Sequence, residues 1–88
     1  MNYALAIALL ICSAVALADT MTTRIDGAII TTGMSIAEVV HRGRRPDRIV
    51  TIENDQGAAI GERWEFFEGS RLVSLTIVDG IVRRIVEK

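Results

Sequence analysis

His41 is the only histidine of this chain, and few residues could do chemistry with it. A general base needs a nucleophile or an orienting carboxylate beside it. His41 instead stands next to Arg42, at the end of a short apolar-periodic segment. A zinc site needs further nitrogen or sulfur ligands. There is no second histidine, and the one cysteine, Cys12, lies inside an apolar leader. His41 therefore reads as a solvated imidazole at the negative end of a helix. The carboxylates Glu53, Asp55, Glu62, Glu65 and Glu68 match no calcium-loop spacing. Glu62 and Glu65 point to opposite sides of a strand, so they do not converge. A glycosidase-type pair also needs a cleft that about 70 residues can scarcely enclose. The chain reads as a non-enzyme without cofactor or metal.

The densest cationic segment holds Arg42, Arg44, Arg45 and Arg48, beside His41. One reading is a solvated helix end and loop, favoured by the helix dipole. The other is an anion-binding patch for lipid headgroups, lipopolysaccharide phosphates or an acidic protein surface. The nearby carboxylates supply internal partners and favour the first. Ten Lys and Arg stand against eleven Asp and Glu. That balance argues against nucleic acid, because phosphate binding needs a basic excess. Nine of the ten cations are arginine, which pairs with carboxylates bidentately better than lysine does.

These groups must be positioned by a small domain, because the first residues read as an export leader. Tyr3 to Ala18 is an uncharged apolar run ending in Ala16-Leu17-Ala18. Small residues one and three positions before a cut suit signal peptidase, so cleavage after Ala18 is expected. The run, about 16 residues, is shorter than the roughly 20 that span a bilayer. An uncleaved anchor is the alternative, since a basic stretch before the run is missing. Cys12 follows Ile11 rather than a small residue, so it reads as part of the leader. Residues 1–18 are thus assigned to a signal peptide and 19–88 to one periplasmic domain without a disulfide.

Within that domain Asp19–Arg24 reads as a loose polar lead-in, and Ile25–Thr32 as extended but broken by Asp26-Gly27. Ser35 and Glu38 have capping-box spacing and open one helix. Ile36, Val39 and Val40 form its apolar stripe, and Gly43 with Pro46 ends it near Arg42. The remainder reads as an antiparallel meander: Arg48–Glu53, Glu62–Phe67, Arg71–Val78 and Ile81–Glu87, the last two joined by an Asp79-Gly80 hairpin turn. The expected fold is α+β, one short helix on a three- to four-stranded sheet.

The hairpin sets Val78 opposite Ile81 and Ile77 opposite Val82. Val73, Leu75, Ile77, Val82 and Val86 then share one face. Leu72, Val78, Ile81 and Ile85 share the other with Ser74, Thr76 and Arg83. Arg84 on the richer face signals a bulge. Trp64 reads as the main core anchor. One short helix covers one face only, so Phe67, Leu72, Val78, Ile81 and Ile85 form a candidate partner-binding patch. The partner is an envelope protein or a second copy of the chain.

Several motifs recur in order: Gly33-Met34-Ser35 with Glu38-Val39, Gly43 to Asp47, Glu62 to Phe66, then Leu75 to Gly80 and Val82. This progression resembles the small periplasmic SmpA/OmlA (BamE-like) superfamily. It is closest to a related group of short exported proteobacterial proteins of unknown function. The resemblance spans roughly Ile25 to Ile85. It implies a helical segment on a three- or four-stranded antiparallel sheet and a role in contacting envelope partners during outer-membrane assembly. The chain departs from it in lacking a lipidation motif, a first helix before Gly33 and the cysteines of the closer group. The superfamily's partner-contacting residues have no match here.

Overall fold

A computed structural model describes residues 18–88. The leader, Cys12 and all of the proposed cleavage motif except Ala18 lie outside the described residues. The elements in chain order are β1 (Ala18–Thr20), β2 (Thr22–Ile25), β3 (Ala28–Thr31), α1 (Ile36–Arg42), β4 (Arg48–Glu53), β5 (Ala59–Glu68), β6 (Arg71–Val78) and β7 (Ile81–Glu87). The fold is α+β, with one short helix and antiparallel sheets. Strands β1-β7-β6-β5-β4 form a five-stranded sheet, and β2-β3 form a separate hairpin.

The meander β4 to β7 matches the sequence expectation except that β5 begins at Ala59, three residues before the expected start at Glu62. Residues 18–31 do not, because they form three strands rather than a lead-in and one broken extended stretch. Asp26-Gly27 is the reason. Both residues take positive φ, 51° and 81°, as do Asp79 and Gly80 at 55° and 73°. Positive φ at both central positions is the two-residue turn whose twist matches paired strands. What reads in sequence as a break is therefore a second hairpin. The sheet gains β1 as a fifth strand through Asp19↔Val86 and Thr20↔Ile85.

The helix follows its local signals. Ser35 Oγ accepts the Glu38 N–H at 3.2 Å. The Glu38 carboxylate does not return to the cap; it pairs with Arg42 one turn on. Gly43 ends the helix, but with negative φ. Its lack of a side chain serves close packing instead: a Cβ there would lie 3.2 Å from Ile25 Cγ2.

The helix and the β2-β3 hairpin lie on the same side of the sheet. Ile25, Ile30 and Val39 are buried against Trp64, Phe66, Val73, Leu75, Ile77, Val82 and Ile85. Ile85 is a correction. The register holds at Val78↔Ile81 and Ile77↔Val82 but then shifts, so that Thr76 faces Arg84 and Leu75 faces Ile85. Arg83 is the extra residue of a bulge. The shift moves Ile85 into the core at 0% exposure and moves Val86 to the reverse face. The Arg84 anomaly in the sequence has this as its cause.

The adjacent phenylalanines test which face of β5 is covered. Phe66 is fully buried and Phe67 is 55% exposed. Phe66→Ala should cost about 3–5 kcal/mol in urea unfolding, and Phe67→Ala less than about 1 kcal/mol.

Candidate functional site

Two arginines hold the hairpin onto the sheet. Arg44 reaches Asp26, Asp47 and Glu68 at 3.3, 3.1 and 2.8 Å, and donates to the Phe67 carbonyl at 3.1 Å. Its guanidinium carbon lies 5.4 Å from the Phe66 ring centre. Hydrogen bonding to Glu68 raises the already high Arg44 pKa. The Asp26 N–H donated to Glu68, and then Arg44, hold the Glu68 carboxyl below its ordinary range. Asp47 is lowered too, chiefly by the Phe67 N–H it accepts at 2.7 Å. At the other end Arg71 binds Glu87 at 2.6 Å and the Arg24 carbonyl at 2.8 Å. Thr23 Oγ1 donates to the same Glu87 carboxylate.

This changes the reading of the basic segment. Arg44 is consumed inside the fold, and Arg42 pairs with Glu38 at 3.3 Å. Arg45 is exposed and makes no ion pair among the described residues. Arg48 turns to the reverse face of the sheet. The four cations do not converge, which removes the support for one anion patch built from Arg42 to Arg48. His41 is exposed beside Ile36, Ala37, Val40, Arg45 and Trp64, around an open apolar cleft.

The apolar patch read from sequence also divides. Ile85 belongs to the core. Phe67 and Leu72 oppose one another on the reverse face. Val78 and Ile81 are half-buried at the tip of the β6-β7 hairpin, where Ser35 bridges to Ile81. No described element covers the reverse face. It carries a groove of about 640 Å³ lined by Arg48, Ile52, Arg63, Glu65, Leu72, Ser74, Thr76, Arg84, Val86 and Lys88. The alternating positions of four strands place these side chains together.

Glu65 is the organising residue of that groove. It is only 4% exposed, although it lies on the uncovered face. Arg48 Nε and Arg63 Nε donate to its two carboxylate oxygens at 2.6 and 2.9 Å. Burial pushes the Glu65 carboxyl up, but hydrogen bonds and charge from Arg63 and Arg48 outweigh it, and the net shift is downward. The pairing holds two guanidinium groups on the surface in fixed positions. Arg84 binds Asp19 at 3.0 Å on the far side. Four cations, Arg48, Arg63, Arg84 and Lys88, thus stand among Leu72, Val86 and Ile52 with Glu65 and Asp19 as the nearby anions. The sequence reading noted Glu65 only as an internal partner. Its signal was Arg63-x-Glu65, which puts both side chains on one face of a strand.

Among the described residues no buried side-chain polar atom lacks a hydrogen-bond partner. No three His, Cys, Asp or Glu side chains gather there as a metal site. No described helix is long and apolar enough to cross a membrane. No family model matches the chain, and neither a curated protein nor a solved structure does so.

Glu65, Glu68 and Asp47 all have folded pKa values below their ordinary ones. The unfolded chain therefore binds more protons through the ordinary carboxylate range, and their stabilisation is lost as pH falls through the lowered values. Urea midpoints should hold near neutrality and drop on acidification to about pH 3, and Glu65→Gln should start lower and fall less.

Proposed function

We propose that this chain is a non-enzymatic, exported interaction module whose uncovered sheet face docks on another envelope protein. The observation that carries the reading is the asymmetry of the sheet. Helix and hairpin cover most of one side, whereas the other presents apolar side chains between paired guanidinium groups. Arginine beside exposed apolar surface is the composition of protein interfaces, where it anchors contacts at low ordering cost. The partner patch on this reading is apolar with acidic groups at its rim. The leader ending in Ala16-Leu17-Ala18 supports a periplasmic location after cleavage. The resemblance to the SmpA/OmlA (BamE-like) superfamily points to the same role, with outer-membrane assembly as its setting. Anionic headgroup binding has weaker support, because Arg44 and Arg42 are already paired.

Thr76→Glu provides the test. Thr76 lies between Arg63 and Arg84 on the two neighbouring strands, so a carboxylate there neutralises the groove without straining the fold. The wild-type protein should retain a discrete envelope protein in a cross-linked pull-down, and Thr76→Glu should lose it. Equal capture by both would refute the reading. Salt-sensitive binding to phosphatidylglycerol vesicles, with no protein captured, would replace it with anion binding.

A further inference from the structure

The side of the sheet that carries the helix is not closed across its whole width. Beside α1 it opens into a cleft of about 500 Å³. Ile36, Ala37 and Val40 form one wall, and Trp64 forms the floor. Ile36 and Val40 stand one turn apart on the helix, while Val39 turns into the core. Ile49 opposes Trp64 in the β4-β5 ladder, so it shares that face and extends the apolar surface toward the sheet edge. It is 51% exposed. The polar atom of the floor is already engaged, because Trp64 Nε1 donates to Glu62 Oε1 at 3.0 Å. The indole N–H is thus satisfied within the fold, and the ring meets the cleft as apolar surface.

The two ends of the cleft differ in charge. His41 and Arg45 line it where the helix stops. Both are exposed, and neither makes an ion pair among the described residues. The basic last turn, His41 and Arg42, offsets the negative end of the helix dipole there. The helix begins at the β6-β7 hairpin, where the Ile36 N–H donates to the Gly80 carbonyl. Glu62 stands toward that end, since it opposes Ile77 and Ile77 opposes Val82. Apolar walls with a free cation at one end and a carboxylate at the other fit a molecule that is apolar along its length and anionic at one tip. Glu62 repels that tip and so sets its direction.

We propose that this cleft binds a single-tailed alkyl carboxylate, its head on Arg45 and its tail along Val40, Trp64 and Ile36. A concave site of this volume, mostly apolar with one or two orienting polar groups, is the usual form of a small-molecule site. The planar guanidinium fork matches a carboxylate, and one unpaired arginine calls for one negative charge. The His41 ring supplies a further N–H donor. The cleft lies on the opposite side of the sheet from the Glu65 groove, so the site stands independently of the proposed envelope partner.

Trp64 is the only tryptophan of the chain, so its fluorescence reports the cleft directly. The protein recovered from cells expressing the full chain is titrated with dodecanoate kept monomeric. The expected result is a saturable change in Trp64 emission. Affinity should rise from hexanoate to dodecanoate, by up to about fourfold for each methylene buried. Arg45→Glu should weaken dodecanoate binding roughly tenfold or more, and should bind dodecyltrimethylammonium better than the wild type does. Ala37→Phe fills the cleft from an exposed helix position and should abolish the binding of both. Circular dichroism should be unchanged in both variants, and Thr76→Glu should bind dodecanoate as the wild type does. No saturable change, an Arg45→Glu variant as tight as the wild type, or equal wild-type affinity for dodecanoate and dodecyltrimethylammonium would each overturn the proposal. Weakening by Thr76→Glu would also overturn it, because the acid would then lie in the other groove. An emission change with phosphatidylglycerol vesicles but none with monomeric dodecanoate would overturn it in favour of a membrane surface.

Discussion

Between Ile77↔Val82 and Thr76↔Arg84 the β7 strand carries one residue more than β6, and the architecture on both sides of the sheet follows from it. Before the bulge, the outer edge of β7 is taken by Gly33 to Ile36. Val82 N–H donates to the Met34 carbonyl, and Gly33 N–H donates to the Val82 carbonyl. After it, the same edge is taken by β1. The chain between these two segments leaves the sheet plane as the β2-β3 hairpin and lies over the core. A bulge bends its strand and increases the local twist, which suits a point where one edge changes partner. The extra residue also turns Ile85 inward and Arg84 outward. Without it the core would receive an arginine, and the reverse face an isoleucine.

Elements governed by neighbouring residues were legible in the sequence. The Ser35 cap, the helix end near Arg42, the Asp79-Gly80 turn and the four strands of the meander each rest on a few adjacent side chains. The features that were not legible depend on distant ones. β2 alternates Thr23 and Ile25 inward against Thr22 and Arg24 outward. A threonine at a buried position hides that period, because Thr23 is satisfied by Glu87, 64 residues away. Asp26-Gly27 carried the same turn signal as Asp79-Gly80, but the short, mostly polar Thr22–Ile25 before it concealed the first strand. The groove was hidden for a related reason. Arg48, Arg63 and Arg84 come from three strands, and only the sheet register brings them onto one face.

Arginine does two kinds of work in this domain. Arg44 and Arg71, both half-buried, fasten the hairpin to the sheet, a role suited to a small domain with no disulfide among the described residues. Arg48 and Arg63 are held outward by a nearly buried carboxylate, which limits the freedom that a partner would otherwise have to remove on binding. A covered apolar face and an arginine-studded bare face together account for a charge balance that is near neutral overall yet locally cationic.

The register beyond Arg83 decides whether that bare face exists as described. Cross-strand nuclear Overhauser contacts between backbone protons of β6 and β7 report it directly in solution. The structure requires Thr76 to contact Arg84 and Leu75 to contact Ile85. Contacts of Thr76 with Arg83 and of Leu75 with Arg84 would show an unbulged pair and contradict the account.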